Sequence, residues 1–206
     1  MTQDDGAGWD AIGATLEAIY PGVNPIHWGT VQRYSDGGPD PLDGVSAYAV
    51  EQPAHWHYIT FGFSELYAKT SKNLEESGWG FELSFRLKRG PDQDKAPLWP
   101  VPMLQNLARY VFNMHRPFED GHYIAWGQPI TSYESTILEA MIFRTDPVLK
   151  SIGTPNGRVQ FIEAIAITPD EYELVQNGGT DELLPRLLAA NPLAVVDVNR
   201  TSLLAA

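Results

Sequence analysis

His55 and His57 are separated by one residue, and an extended chain would turn both imidazoles to the same face. Two imidazoles so placed could hold zinc if Glu82 or His122 supplied a further ligand. A metal-dependent, hydrolase-like enzyme using the His55/His57 pair is the chemistry that such a set would support. The plainer reading is a pair of hydrogen-bonded sheet histidines beside Trp56 and Tyr58. It is preferred, because an isolated pair seldom completes a metal site. His115, Glu119, Asp120 and His122 make a second polar group. An imidazole near a carboxylate is what general acid–base catalysis uses, but Met114–Gly121 has the composition of a solvated loop, and a loop that touches a partner explains it more simply. The chain has no Gly-x-Gly-x-x-Gly, P-loop or nucleophile-elbow pattern. It has no cysteine, which excludes thiolate catalysis, disulfides and cysteine-based zinc sites. No catalytic residue, metal or cofactor is therefore assigned.

These groups must be positioned by a chain of 206 residues, a length that favours one domain. The hydrophobic fraction of 43% and aromatic fraction of 11% are enough for a packed core. A net charge of −12 disfavours nucleic acid and anionic membrane, which need a basic footprint, and suits a basic protein or peptide, although the same acidity also serves solubility. No apolar run approaches the roughly 18 residues of a membrane span, and Met1–Gly8 is polar and acidic rather than a leader. A cytoplasmic protein is expected, with a flexible N-terminus over 1–8 and one domain over 9–206.

The central element is Gly78–Arg89. Phe81, Leu83, Phe85 and Leu87 share one parity, and Glu82, Ser84, Arg86 and Lys88 the other, so a strand with one oily and one wet side is expected. His55–Phe63, rich in aromatic and β-branched residues, is a second strand suited to lie beside it. Further strands are expected at Gly29–Tyr34, Val45–Val50, Tyr123–Trp126, Gly157–Thr168 and Leu193–Val198. Helices are expected over Asp10–Ile19, from Pro100 to about Met114, from Pro169 to about Gln176, and in a last segment capped by Thr180. Glu134–Phe143 fits either a helix or a strand. Of the six tryptophans most are read as core, and Trp79, between two glycines, as a packing plug. Strands and helices mix without strict alternation, which makes the fold class α+β: a central mixed, largely antiparallel sheet flanked by helices.

Five segments in order, Gly37–Asp43, His55–Ile59, Gly80–Leu83, Phe85–Arg89 and Leu107–Phe112, together resemble the Suppressor of Fused family. The resemblance is to the N-terminal domain of the family and runs from about Ala11 to the end of the chain, as in its stand-alone bacterial members. It implies a non-enzymatic protein-binding domain that receives a partner peptide as an added strand, between this domain and a second one in the animal members. It carries the peptide-contact positions onto Tyr110, Phe118, His122 and Thr145. Animal members have carboxylates at the last two, so the charge complementarity of that site is expected to be lost, with Asp120 or the neighbouring Asp146 as a substitute. Short members of this kind have been proposed, by genomic analogy, as immunity proteins against toxins, so the resemblance implies that role as an expectation here.

Overall fold

The computed structural model describes residues 6–189 and 191–204. Its strands are β1 (Ile26–Gly29), β2 (Gly44–Val50), β3 (His55–Phe61), β4 (Glu76–Lys88), β5 (Tyr123–Ala125), β6 (Ala140–Thr145), β7 (Ile152–Thr154) and β8 (Gly157–Ile167). Its helices are α1 (Ala7–Ile19), α2 (Pro100–Met114), α3 (Pro169–Gln176) and α4 (Thr180–Ala189). All the strands join one sheet in the order β1-β2-β3-β4-β8-β6-β5, with β7 also paired to β8. Only the central β4–β8 pair is parallel. The mixed, helix-flanked α+β sheet expected from the sequence is the one observed.

β3 and β4 are antiparallel neighbours, with Tyr58 opposite Phe85 and Trp56 opposite Leu87. Phe81, Leu83, Phe85 and Leu87 face α2 and form the front core with Leu104, Leu107, Phe143 and Ile162. Burying each such side chain contributes roughly 1.5–3 kcal/mol before entropy is subtracted. On the opposite parity of β4, Lys88 alone of the four residues expected to be wet is exposed. Glu82, Ser84 and Arg86 are fully buried: the loop after β3 closes over Glu82, the turn after β6 brings Asp146 onto Ser84 and Arg86, and the apolar clusters under α1 and under α3–α4 flank them. Polar residue type did not mean solvent here; connecting segments and neighbouring strands supplied their partners.

Several boundaries differ from the expected ones. The first strand is Ile26–Gly29, not Gly29–Tyr34, where Tyr34–Asp36 is a 3-10 turn. The partner strand decides this: Gly44 admits the His27 ring and the Trp28 carbonyl to within 2.5–2.8 Å of where a Cβ would stand. Glu134–Phe143 resolves as the lead into strand β6. β7 is an unanticipated three-residue strand in a tight hairpin with β8. The expected strand at Leu193–Val198 is reduced to a single parallel bridge, Leu87 to Val196. The carbonyl of Gly179, not the Thr180 side chain, accepts the first amides of α4. α1 begins at Ala7; of the stretch 1–8 expected to be flexible, residues 1–5 lie outside the described residues.

Candidate functional site

β5 is the last strand of the sheet on its side, and among the described residues no strand lies beyond it. Its backbone is held on the inner side only, with Trp126 N–H donating to the Glu139 carbonyl and Tyr123 opposite Ile142 on β6. An unpaired edge is a template for another extended chain.

Beside that edge the end of α2 and the loop after it build an aromatic ladder. Tyr110, half-buried on α2, stacks on Phe118 at 5.6 Å, and Phe118 stacks on Phe143 of β6 at 3.9 Å. Such offset stacks add about 0.5–1.5 kcal/mol to area burial. Phe118 is 4% exposed, so it forms the floor of the site rather than a free anchor. A shallow cleft of about 340 Å³ opens over it, edged by Tyr110, His115, Arg116, Glu119 and His122. A second cleft of about 350 Å³ lies on the other side of Phe118, against Trp79 and Gln160. His115 ends α2 in the left-handed region (φ 55°) and sets its ring edge-on to Trp79 at 5.8 Å. Trp79 also packs on Phe112.

Tyr110, Phe118 and His122 are thus brought together around one cleft. Thr145 stands apart at the end of β6. It is exposed, its N–H donates to Asp120 Oδ1 (2.7 Å), and its hydroxyl accepts from Gln160 Nε2 (3.0 Å). Asp146 has to be removed from the surface set. It is 3% exposed, and its carboxylate accepts from the Ser84 hydroxyl (2.5 Å), the Arg86 guanidinium (3.0 Å) and the amides of Val148 and Leu149 (2.8 Å each). A side chain with its lone pairs so committed belongs to the scaffold.

Asp146 belongs to a charged row across the back face. His57 lies opposite Arg86 on β4, and Glu163 on β8 lies opposite Arg144 on β6. Arg86 bridges Asp146 (2.9 Å) and Glu163 (2.5 Å), and Arg144 closes on Glu163 (2.6 Å). Burial would raise the Asp146 carboxyl, but His57 and Arg86 outweigh it and hold the group well below the usual carboxylate range. Burial, aided by Arg86, pushes His57 down to about 3, so it is a neutral imidazole.

That row decides the fate of the histidine pair. His57 Nδ1 bonds the Tyr20 hydroxyl (2.6 Å), its Nε2 lies 3.5 Å from Asp146, and the side chain has no exposure. His55 Nδ1 sits 2.6 Å from the Pro53 carbonyl. Glu82 is spent elsewhere, accepting from the Thr60 and Ser64 hydroxyls and the Gly62 amide. Burial lifts it to about 7 against those donors. Among the described residues no three histidine, aspartate or glutamate side chains converge as a metal set. Missed by the sequence reading were Arg116 at the cleft rim and the Arg86–Glu163–Arg144 row; the row carried a signal, since these charges fall inside strand periodicities.

Together these features define an α+β domain whose sheet ends in an open strand beside a shallow aromatic cleft. A family profile described as Suppressor of fused protein (SUFU) matches residues 38–201. The Suppressor of fused homologs of Homo sapiens and Mus musculus are each 37% identical over 211 residues, covering 94% of this chain and 43% of theirs. The chain therefore spans less than half the length of these relatives. Among solved structures, that described as the Sufu-Fu complex superposes with a TM-score of 0.89 at 29% identity, over 96% of this chain and 93% of that one. Drosophila Suppressor of Fused gives 0.87 at 28%, over 98% and 52%. A SUFU homolog from Neisseria gonorrhoeae gives 0.66 at 16% identity, over 94% of both chains, a likeness of fold alone. The chain belongs to the Suppressor of fused family.

Proposed function

We propose that this is a non-enzymatic protein-binding domain that takes an extended segment of a partner as an added strand on β5. The observation that carries the reading is the unpaired β5 edge standing beside the Tyr110–Phe118–Phe143 ladder. Main-chain hydrogen bonds would supply affinity, and the two clefts flanking Phe118 would read side chains. Tyr110, His122 and Thr145 are the surface contacts, Phe118 is the floor between them, Asp120 holds the end of β6 through the Thr145 amide, and Asp146 fixes the turn that follows through the amides of Val148 and Leu149. Membership of the family supports a protein partner, as does the description of one relative as the Sufu-Fu complex. The net charge of −12 favours a partner that is basic as a body. In this reading the domain sequesters a cytoplasmic partner and, as an immunity protein, neutralises a toxin.

The test is co-purification from the native host with the wild-type chain and with Ala125→Pro. Next to the inward-bonded Trp126, Ala125 has its N–H on the outer side of β5, so proline removes a donor that only an added strand would use. One partner held by wild type and released by the variant is expected, and its toxicity on expression should be relieved by this chain. Recovery of the lone chain, or a partner indifferent to Ala125→Pro, would sink the proposal.

A further inference from the structure

Seven of the nine arginines are held by carboxylates: Arg86, Arg89, Arg109, Arg144, Arg158, Arg186 and Arg200. Arg33 lies over the Tyr67 ring at 4.0 Å. Among the described residues Arg116 alone has neither a carboxylate within 4.0 Å nor an aromatic face. It stands exposed on the rim of the cleft over Phe118. On a chain with 26 acidic residues against 14 basic ones, an arginine left without a counter-charge at a cleft is the exception to be explained.

Its neighbours lean the same way. His115 and His122 line the same cleft, and among the described residues neither has a carboxylate within ion-pair distance. The Glu119 amide donates to His122 Nδ1 (3.2 Å). With Nδ1 accepting, the imidazole carries its hydrogen on Nε2, which is left as a donor. Among the described residues Glu119 is the one acidic residue lining this cleft, against three with nitrogen-bearing side chains, His115, Arg116 and His122. The cleft therefore offers a guanidinium fork, an imidazole N–H and the aromatic edge of Tyr110, beside a strand edge that lacks a partner. That set matches a carboxylate on an extended chain: two parallel N–H···O bonds from arginine and a third from histidine.

We infer that the strand captured on β5 carries an aspartate or glutamate whose carboxylate is bound by Arg116 in the Phe118 cleft. This rests on the strand-capture reading above and specifies its partner: an acidic side chain at one register position of a segment whose parent protein is drawn by the opposite, long-range field of the domain.

The probe is a library of random octapeptides displayed on phage, selected on the full 206-residue chain. Selection is run on wild type, Arg116→Gln, Arg116→Glu and Ala125→Pro; the Arg116 side chain is exposed, so its variants fold, as their melting curves will show. Wild type should enrich peptides with Asp or Glu at one fixed position. The best of these, made synthetically, should bind Arg116→Gln about tenfold more weakly, one charge-assisted pair. Arg116→Glu should switch the enriched residue at that position to Lys or Arg. Peptides that need the β5 edge, being lost on Ala125→Pro, yet show no acidic position or bind Arg116→Gln as tightly as wild type, overturn this inference and leave strand capture standing. Peptides indifferent to Ala125→Pro overturn both.

Discussion

Arg86 has no exposure and holds two carboxylates, Asp146 and Glu163, that would otherwise be buried charges. Replacing it with methionine fills the volume and leaves both anions without it, so Arg86→Met should cost about 3–5 kcal/mol, read as a lower urea midpoint. Replacing the row together, with Asp146, Glu163 and Arg144 also made apolar, should cost much less than the sum of the single changes, because the desolvation penalty leaves with the charges. Additive losses would mean that the members of the row are energetically independent and would refute the coupling. At this scale the sequence was partly legible. Tyr110, Phe118 and His122 were placed together from motif resemblance, and they do share a cleft. Asp146 was misplaced because its neighbour Thr145 faces solvent, and a strand end reverses the side-chain direction from one residue to the next. Arg116 gave no signal, because what sets it apart is the absence of a partner in space.

At the scale of elements, the long periodic segments β3, β4, β8 and α2 were legible because alternation or helical spacing repeats over many residues. β1, β7 and the bridge at Val196 were not, since three- or four-residue pairings are set by the neighbouring strand rather than by their own pattern. The loop between β3 and β4 was another such case: Glu82 holds its start at Gly62 and Ser64, and the Glu65 carboxylate holds the rest. Glu65 accepts from the amides of Thr70, Ser71 and Gly78 and pairs with Lys69 at 2.9 Å. Burial would raise its pKa, but Lys69 and the Ser71 and Thr70 amides outweigh that and bring it from 4.5 to about 2. A depressed folded pKa means that the stabilisation is present above the unfolded value and is lost as pH falls through the folded one. The wild-type melting temperature should thus fall between pH 4.5 and about 2 more steeply than that of Glu65→Gln. Two curves separated by a constant offset across that range would remove Glu65 from this role.

At the scale of the molecule, the charged row divides the back face. Phe161 of β8 packs in the α1 cluster, Glu163 in the row, and Ile165 and Ile167 in the α3–α4 cluster. The front core runs unbroken from Leu42 to Val198. The two back clusters therefore share no apolar contact line, and the smaller can open without the other. α3 is pinned by Arg200, which bonds Glu171 (2.5 Å) and the Ala166 carbonyl (3.0 Å). α4 adds a single fully buried leucine, Leu183, and carries Pro185 within it. Arg200→Ala should lower the hydrogen-exchange protection of α3 and α4 by about 1–3 kcal/mol, the cost of stranding a buried carboxylate. Protection in β3 and β4 should stay unchanged, because the front core and the row are untouched and Arg200 bonds neither strand. A uniform loss over the whole sheet would mean one cooperative unit and would refute the division. The division matters for binding, since Tyr172 of α3 sits edge-on to Tyr123 at 5.7 Å. The helix pair most able to loosen is the one leaning on β5, so a strand that orders β5 should also raise protection in α3 while leaving α1 as it was.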